Sequence, residues 1–239
     1  MTLDRTDVNG DGGGGGLRET VGVRAAAVYC SSSGSIDPSY LALADEVGEA
    51  LARSGRTVVY GGGKLGMMGR VSASARAAGG RVVGVITDRL RETEQMDPDN
   101  TENVVVPTMR KRKALMEDRS DALVVLPGGV GTLEEFFEVF VGKLVGEHEK
   151  PIVVVNPPDP TNSGGGYYDP LLAMFEHMVS SRFVKRAVFE LMDVVATADD
   201  AVAALDRRGA AMASGGAAIG DRRRFMPGLV DPAVEGGSP

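Results

Sequence analysis

Tryptophan is absent from this chain, and cysteine and histidine are nearly so: one and two in 239 residues. The lone thiol, Cys30, excludes an internal disulfide framework and fits a reducing compartment. It closes a short apolar stretch, so it reads as a buried small residue rather than a nucleophile. His148 and His177 stand apart with no ligand spacing around them, so no metal cluster and no Ser-His-acid arrangement can be drawn. His148 reads as a loop residue and His177 as one on a helix face. Long apolar runs are missing as well. None reaches the roughly 18 residues a bilayer span needs, and Met1–Glu19 is too polar and glycine-rich for a signal peptide, so a cytoplasmic location is expected. Positive charge is short: 26 Lys and Arg face 33 Asp and Glu, a net charge of -7. That balance excludes a general nucleic-acid or membrane-surface partner and leaves room for a local basic site that takes one phosphorylated ligand.

The chain that remains is 43% hydrophobic and 25% charged, which is ordinary for a globular α/β protein. Residues 1–20, with the run Gly12–Gly16, bury too little to offset ordering entropy and are expected to form a disordered tail. No strand precedes those glycines, so they make no cofactor loop. Residues 208–239, rich in Arg, Gly and Ala, are expected to be a second flexible tail. Between them, residues 21–207 alternate short apolar runs with helical spacing. Ala25–Tyr29, Thr57–Tyr60, Val82–Ile86, Val104–Val106, Ala122–Leu126 and Ile152–Val155 read as strands, with a further short segment near Val194–Ala196. Pro38–Ala52 (capped by Asp37), Val71–Ala78, Met109–Arg119, the run after Glu135, Tyr167–Val179 and Asp199–Leu205 read as helices. Thr87–Asn103 and Asn156–Gly166 read as loops. The pattern predicts one doubly wound, Rossmann-like α/β domain with a mostly parallel sheet and a ligand site at the carboxyl ends of its strands.

Several stretches leave strands at that edge. Pro127-Gly128-Gly129-Val130-Gly131-Thr132-Leu133-Glu134-Glu135 is a glycine turn between a strand and a helix, where free N–H groups and the helix dipole favour a phosphate. Thr132 adds a hydroxyl. Glu134 and Glu135 follow about 100° apart on the helix, so one of them faces the cleft. A phosphate cradle beside an acid points to a nucleotide whose sugar meets that acid. Met109-x-x-Arg112-Lys113 opens a basic helix at the same edge, a solvated face or a guanidinium clamp on phosphate or sugar. Gly61-x-Gly63-x-x-Gly66, with Asp88 after the next strand, matches a dinucleotide fingerprint and keeps an NAD(P)-dependent oxidoreductase open as an alternative. Equally, those glycines serve tight turns and helix–strand packing. Tyr167-Tyr168-Asp169-Pro170 reads as a helix start, with a ligand or partner contact as the other possibility.

Taken together, Pro127–Glu135 (P-G-G-x-G-T-x-x-E), Met109-x-x-Arg112-Lys113 and Tyr60-Gly-Gly-Gly-x-x-Gly-x-Met68-Gly69 resemble the LOG family. These are cytokinin riboside 5'-monophosphate phosphoribohydrolases, which also carry an older label, lysine decarboxylase. Tyr29-Cys30-x-Ser32-Ser33, Gly146-x-His148-x-Lys150-Pro151 and Tyr167-Tyr168-Asp169-Pro170-Leu171 extend the likeness over about Ala25–Leu205. It implies hydrolysis of the N-glycosidic bond of AMP or N6-modified AMP to free base and ribose 5-phosphate, with no cofactor. It also implies a homodimer or larger homo-oligomer. By the same likeness Arg112 and Glu135 are the catalytic pair, and Gly128, Gly129, Gly131 and Thr132 hold the phosphate. Glu94, Ser32, Met109, Lys113 and Glu134 complete the expected substrate-binding set, and no metal is expected. The wider superfamily includes molybdenum-cofactor carriers, which makes a non-catalytic nucleotide or cofactor carrier the main alternative. The chain departs from the family at Ser31, usually glycine, and at Val141-Gly142-Lys143-Leu144, usually Thr-Trp-x-Gln. A further departure is a loop insertion before Tyr167, and base preference is left open.

Overall fold

In a computed structural model of the protein, residues 22–161, 164–214 and 224–225 are described. The elements follow one another as β1 (Ala25–Tyr29), α1 (Pro38–Arg53), β2 (Thr57–Tyr60), α2 (Gly66–Ala77), β3 (Val82–Thr87), α3 (Leu90–Thr93) and β4 (Glu102–Val106). Then come α4 (Met109–Asp118), β5 (Ala122–Val125), α5 (Val130–Val145), β6 (Ile152–Val155), α6 (Asp169–Ser180), a 3-10 turn (Arg186–Leu191), β7 (Asp193–Val195) and α7 (Ala198–Ala213). One sheet takes all seven strands in the order β4-β3-β2-β1-β5-β6-β7, each pair parallel. This is the doubly wound α/β architecture that the alternation predicts.

Short Val-rich strands form it because both faces are covered. Successive side chains point to opposite faces of a strand, and each face needs its own apolar layer. Val28, Val58, Tyr60, Val124 and Val153 face α1, α2 and α7, while Tyr29, Val59, Val125 and Val154 face α4, α5 and α6. Fully buried side chains such as Leu51 on the first layer and Phe136 on the second each contribute about 1.5–3 kcal/mol. Local signals agree with this packing. Asp37 caps α1 by accepting from the Ser39 N–H at 2.9 Å, and Gly146, at φ +94°, ends α5.

Three stretches differ from their sequence reading. Thr87–Asn103 is no plain surface loop: it contains α3, begins β4 at Glu102 and bridges Gly63 through Met96. Buried Asp97 anchors it, accepting from Ser72 Oγ at 3.0 Å, Arg76 at 2.8 Å and the Asp99 N–H at 3.1 Å. Burial raises the Asp97 pKa, but these hydrogen bonds outweigh it and hold the carboxyl below its usual range. The short segment expected near Val194–Ala196 is strand β7, at Asp193–Val195. Finally, α7 runs past Leu205 to Ala213, because Ala210, Ala211 and Ala213 are strong helix formers and Gly209 is buried. Residues 208–213 of the expected second tail thus continue α7. The expected tail 1–20, and most of the one from 208 onward, lie outside the described residues. No helix among the described residues is long and apolar enough to cross a membrane.

Candidate active site

The strand order reverses between β1 and β5, and a crevice opens there at the carboxyl edge of the sheet. The chain stitches its floor: Leu126 N–H donates to Tyr29 O at 2.9 Å and Ser31 N–H to Pro127 O at 3.3 Å. Cys30 is buried, as expected, and borders the cavity; burial pushes its thiol pKa up, away from the reactive thiolate.

The β5–α5 turn forms one wall. A Cβ added to Gly128 would lie 2.1 Å from Thr132 Oγ1, so glycine lets the buried Thr132 fold back against the turn. Gly129 and Gly131 are different. A Cβ at either would meet nothing within 4 Å, and neither has a positive φ. Packing does not require glycine there, and its absence of side chain keeps open space open. The first N–H groups of α5 have no intrahelical acceptor and face that space with the positive end of the helix dipole.

The acid and the guanidinium come from α5 and α4. Glu135 is half-buried; burial pushes its pKa up to about 7, with the Arg112 charge opposing the rise. Arg112 is only 3% exposed. Its Nε donates to Val85 O at 3.0 Å, and its Nη2 donates to Gly61 O at 2.7 Å and to Glu94 Oε2 at 3.0 Å. Nη1 lies 3.8 Å from Met109 Sδ. Two of the three guanidinium nitrogens are tied to main chain and Glu94, which makes Arg112 a fixed charge. Glu134 is exposed and pairs with Lys113, which also pairs with Glu138. Of the two adjacent carboxylates, Glu135 turns inward and Glu134 stays at the rim.

The cavity so formed has a volume of about 320 Å³, within the usual range for small-molecule sites. Ser32, Glu94, Met109, Arg112, Gly129, Gly131, Thr132, Glu134 and Glu135 line it. Two members of the expected set do not: Gly128 packs on Thr132, and Lys113 is held by its two glutamates. Cys30, Ser31, Ser33, Met68 and Leu90 line the cavity too, outside the expected substrate-binding set. Leu90 had a signal, as one of only two apolar residues in Thr87–Asn103.

The second glycine turn, between β2 and α2, holds no such space. A Cβ at Gly61 would lie 2.2 Å from Arg112 Nη2, one at Gly63 2.9 Å from Glu94 O, and one at Gly66 2.5 Å from the Ser32 and Ser33 backbone. Asp88, the acid that a dinucleotide site would use, is exposed and pairs with Arg91 at 3.5 Å. The turn is filled by its own protein. The described residues hold no group of three His, Cys, Asp or Glu that could bind a metal. His148 is a half-buried brace: its ring nitrogens bond Val139 O at 2.8 Å and the Lys150 N–H at 3.2 Å, and burial lowers its pKa. His177 is exposed on α6.

Known proteins share both the sequence and the fold. The family described as "Possible lysine decarboxylase" matches residues 68–205. A Mycobacterium tuberculosis protein named "Cytokinin riboside 5'-monophosphate phosphoribohydrolase" is 44% identical over 178 residues, covering 74% of this chain and 91% of its own. A protein of that activity from Oryza sativa subsp. japonica is 36% identical over 183 residues, covering 77% of this chain and 73% of its own. Among solved structures, the molybdenum cofactor carrier protein from Chlamydomonas reinhardtii superposes with a TM-score of 0.58 at 21% identity, covering 77% of this chain and 96% of its own. The molybdenum cofactor binding protein from Rippkaea orientalis does so with 0.58 at 17%, with the same coverage. At such identities these two structures speak to the fold alone.

Proposed function

This chain belongs to the LOG family of cytokinin riboside 5'-monophosphate phosphoribohydrolases, and from that premise we propose that it hydrolyses the N-glycosidic bond of AMP or an N6-modified AMP. The products are the free base and ribose 5-phosphate: water adds its oxygen to C1', the C–N bond breaks, and the base leaves with a proton.

The residues divide this work by their chemistry. Amides at the start of α5, from Gly129 to Thr132, hold the 5'-phosphate, aided by the Thr132 hydroxyl. That remote anchor supplies binding energy for distorting the sugar. Bond cleavage builds positive charge at C1', as in other glycoside hydrolyses, and the ionised Glu135 stabilises it and orients water. Arg112, fixed by Gly61, Val85 and Glu94, sets a positive charge against the rise that desolvation imposes on the Glu135 pKa. Ser32, Met109 and Glu134 border the substrate, and Lys113 restrains Glu134. The observation that carries this reading is an inward carboxylate sharing one cavity with an amide turn that none of the described residues fills.

Incubation with AMP and with N6-isopentenyl-AMP, followed by chromatography of the free base, tests it. Release from no 5'-monophosphate would sink the reading; tight binding without release would favour a carrier. The reading also includes a cytoplasmic location and a homodimer or larger homo-oligomer. Val141, Val145 and Met174, exposed on α5 and α6, support assembly. Sedimentation at micromolar concentration giving only a monomer would remove that part.

A further inference from the structure

The two carbonyls on either side of Pro127's own are each capped by a tyrosine hydroxyl. Tyr168 Oη donates to Leu126 O at 2.6 Å and Tyr167 Oη to Gly128 O at 2.8 Å. These bonds have unequal consequences. A trans peptide points its C=O and the following N–H in opposite directions, and no cis bond occurs among the described residues. The group after the Leu126 carbonyl is the nitrogen of Pro127, which has no hydrogen to aim. The group after the Gly128 carbonyl is the N–H of Gly129, whose residue lines the cavity while Tyr167 does not.

We propose that Tyr167 is a positioning residue: by holding the Gly128 carbonyl away from the cavity, it aims the Gly129 N–H at the phosphate of the substrate. This rests on the nucleotide reading above. Tyr167 is itself held firmly. Its ring packs edge-on against Tyr40 at 5.4 Å and against Tyr168 at 4.9 Å, and its N–H donates to Pro157 O at 3.0 Å. The Tyr40 hydroxyl turns elsewhere, to Asp159 at 3.1 Å, in the loop before Tyr167. With the Tyr167 hydroxyl gone, the Gly128–Gly129 peptide can rotate, and one aimed donor is lost from an otherwise unchanged cavity.

The test compares Tyr167→Phe, Tyr168→Phe and Tyr40→Phe by calorimetry with ribose 5-phosphate, AMP and adenosine. Tyr167→Phe is expected to weaken ribose 5-phosphate and AMP about tenfold, the worth of one hydrogen bond to a charged group. Adenosine, which lacks the phosphate, should bind as before. Tyr168→Phe and Tyr40→Phe should leave the ratio of AMP to adenosine affinity at the wild-type value, and 4-aminophenylalanine at position 167 should restore phosphate binding. Wild-type phosphate affinity in Tyr167→Phe, or equal losses for AMP and adenosine, overturns the proposal. A readout in the wild-type protein covers a variant that fails to fold. Titrating inorganic phosphate should move the Gly129 amide resonance, and no movement also overturns it. Base release by the wild type is scored separately, so a protein that binds phosphate through Gly129 and cleaves nothing loses the enzyme reading alone.

Discussion

Two glycine turns leave adjacent parts of the same sheet edge, and they do opposite things with the missing side chain. After β2, the places of the absent Cβ atoms are taken by Arg112, by Glu94 and by the Ser32–Ser33 backbone. After β5, Gly129 and Gly131 face space that none of the described residues occupies. The first turn is glycine-rich so that distant segments can close on it; the second is glycine-rich so that nothing does. A motif of the first kind is a packing device however well it matches a cofactor fingerprint.

The contrast can be broken at several points. Arg112 joins the two turns, bonding Gly61 O of the filled one while bordering the open cavity. Arg112→Met removes a buried charge and strands Glu94, and should cost about 3–5 kcal/mol in a urea melt; a near-native midpoint would show that the filled turn closes without it. Glu135→Gln, beside the open turn, should instead leave the fold intact and lower turnover at least about a hundredfold.

The same variant carries a signed pH prediction. The folded pKa of Glu135, about 7, lies above its ordinary 4.5, so between those values the folded state holds a proton that the unfolded chain releases. Stability contributed by the protonated group is present below 4.5 and lost as pH rises through 7. Glu135→Gln should therefore raise the melting temperature more at pH 8 than at pH 5, and wild-type turnover should rise with pH through about 7. Equal melting shifts at both pH values would mean that the carboxyl titrates normally.

Gly66→Ala should cost about 2–3 kcal/mol, since its φ of +58° and the Ser32 and Ser33 backbone 2.5 Å from a new Cβ both resist. Gly131→Ala should leave stability within about 0.5 kcal/mol or raise it by up to about 1 through helix propensity. Affinity for ribose 5-phosphate should still fall severalfold. If the two alanines behaved alike in both assays, the distinction between filled and open turns would fail.

Much of this arrangement was legible in the sequence. The Val-rich runs had strand length, the intervening helices had caps such as Asp37, and Pro127–Glu135 stood between a strand and a helix. Thr87–Asn103 was misread because what orders it is buried Asp97 with Ser72 and Arg76, partners some twenty residues away and invisible to local period. Glu134 and Glu135 are chemically identical neighbours. Lys113 draws one outward and the apolar layer beneath α5 turns the other inward, which no spacing rule could assign to a particular residue.

By itself, the sequence determined the parallel sheet, the edge at which the candidate site opens and the residue types gathered there, because strand period, turn chemistry and helix dipole are local properties. Tertiary structure alone decided which glycine turn is empty, which glutamate enters the cavity and how Arg112 and Tyr167 are held. Each of those depends on which remote atoms come to fill a given ångström of space, and a chain's local pattern carries no record of that.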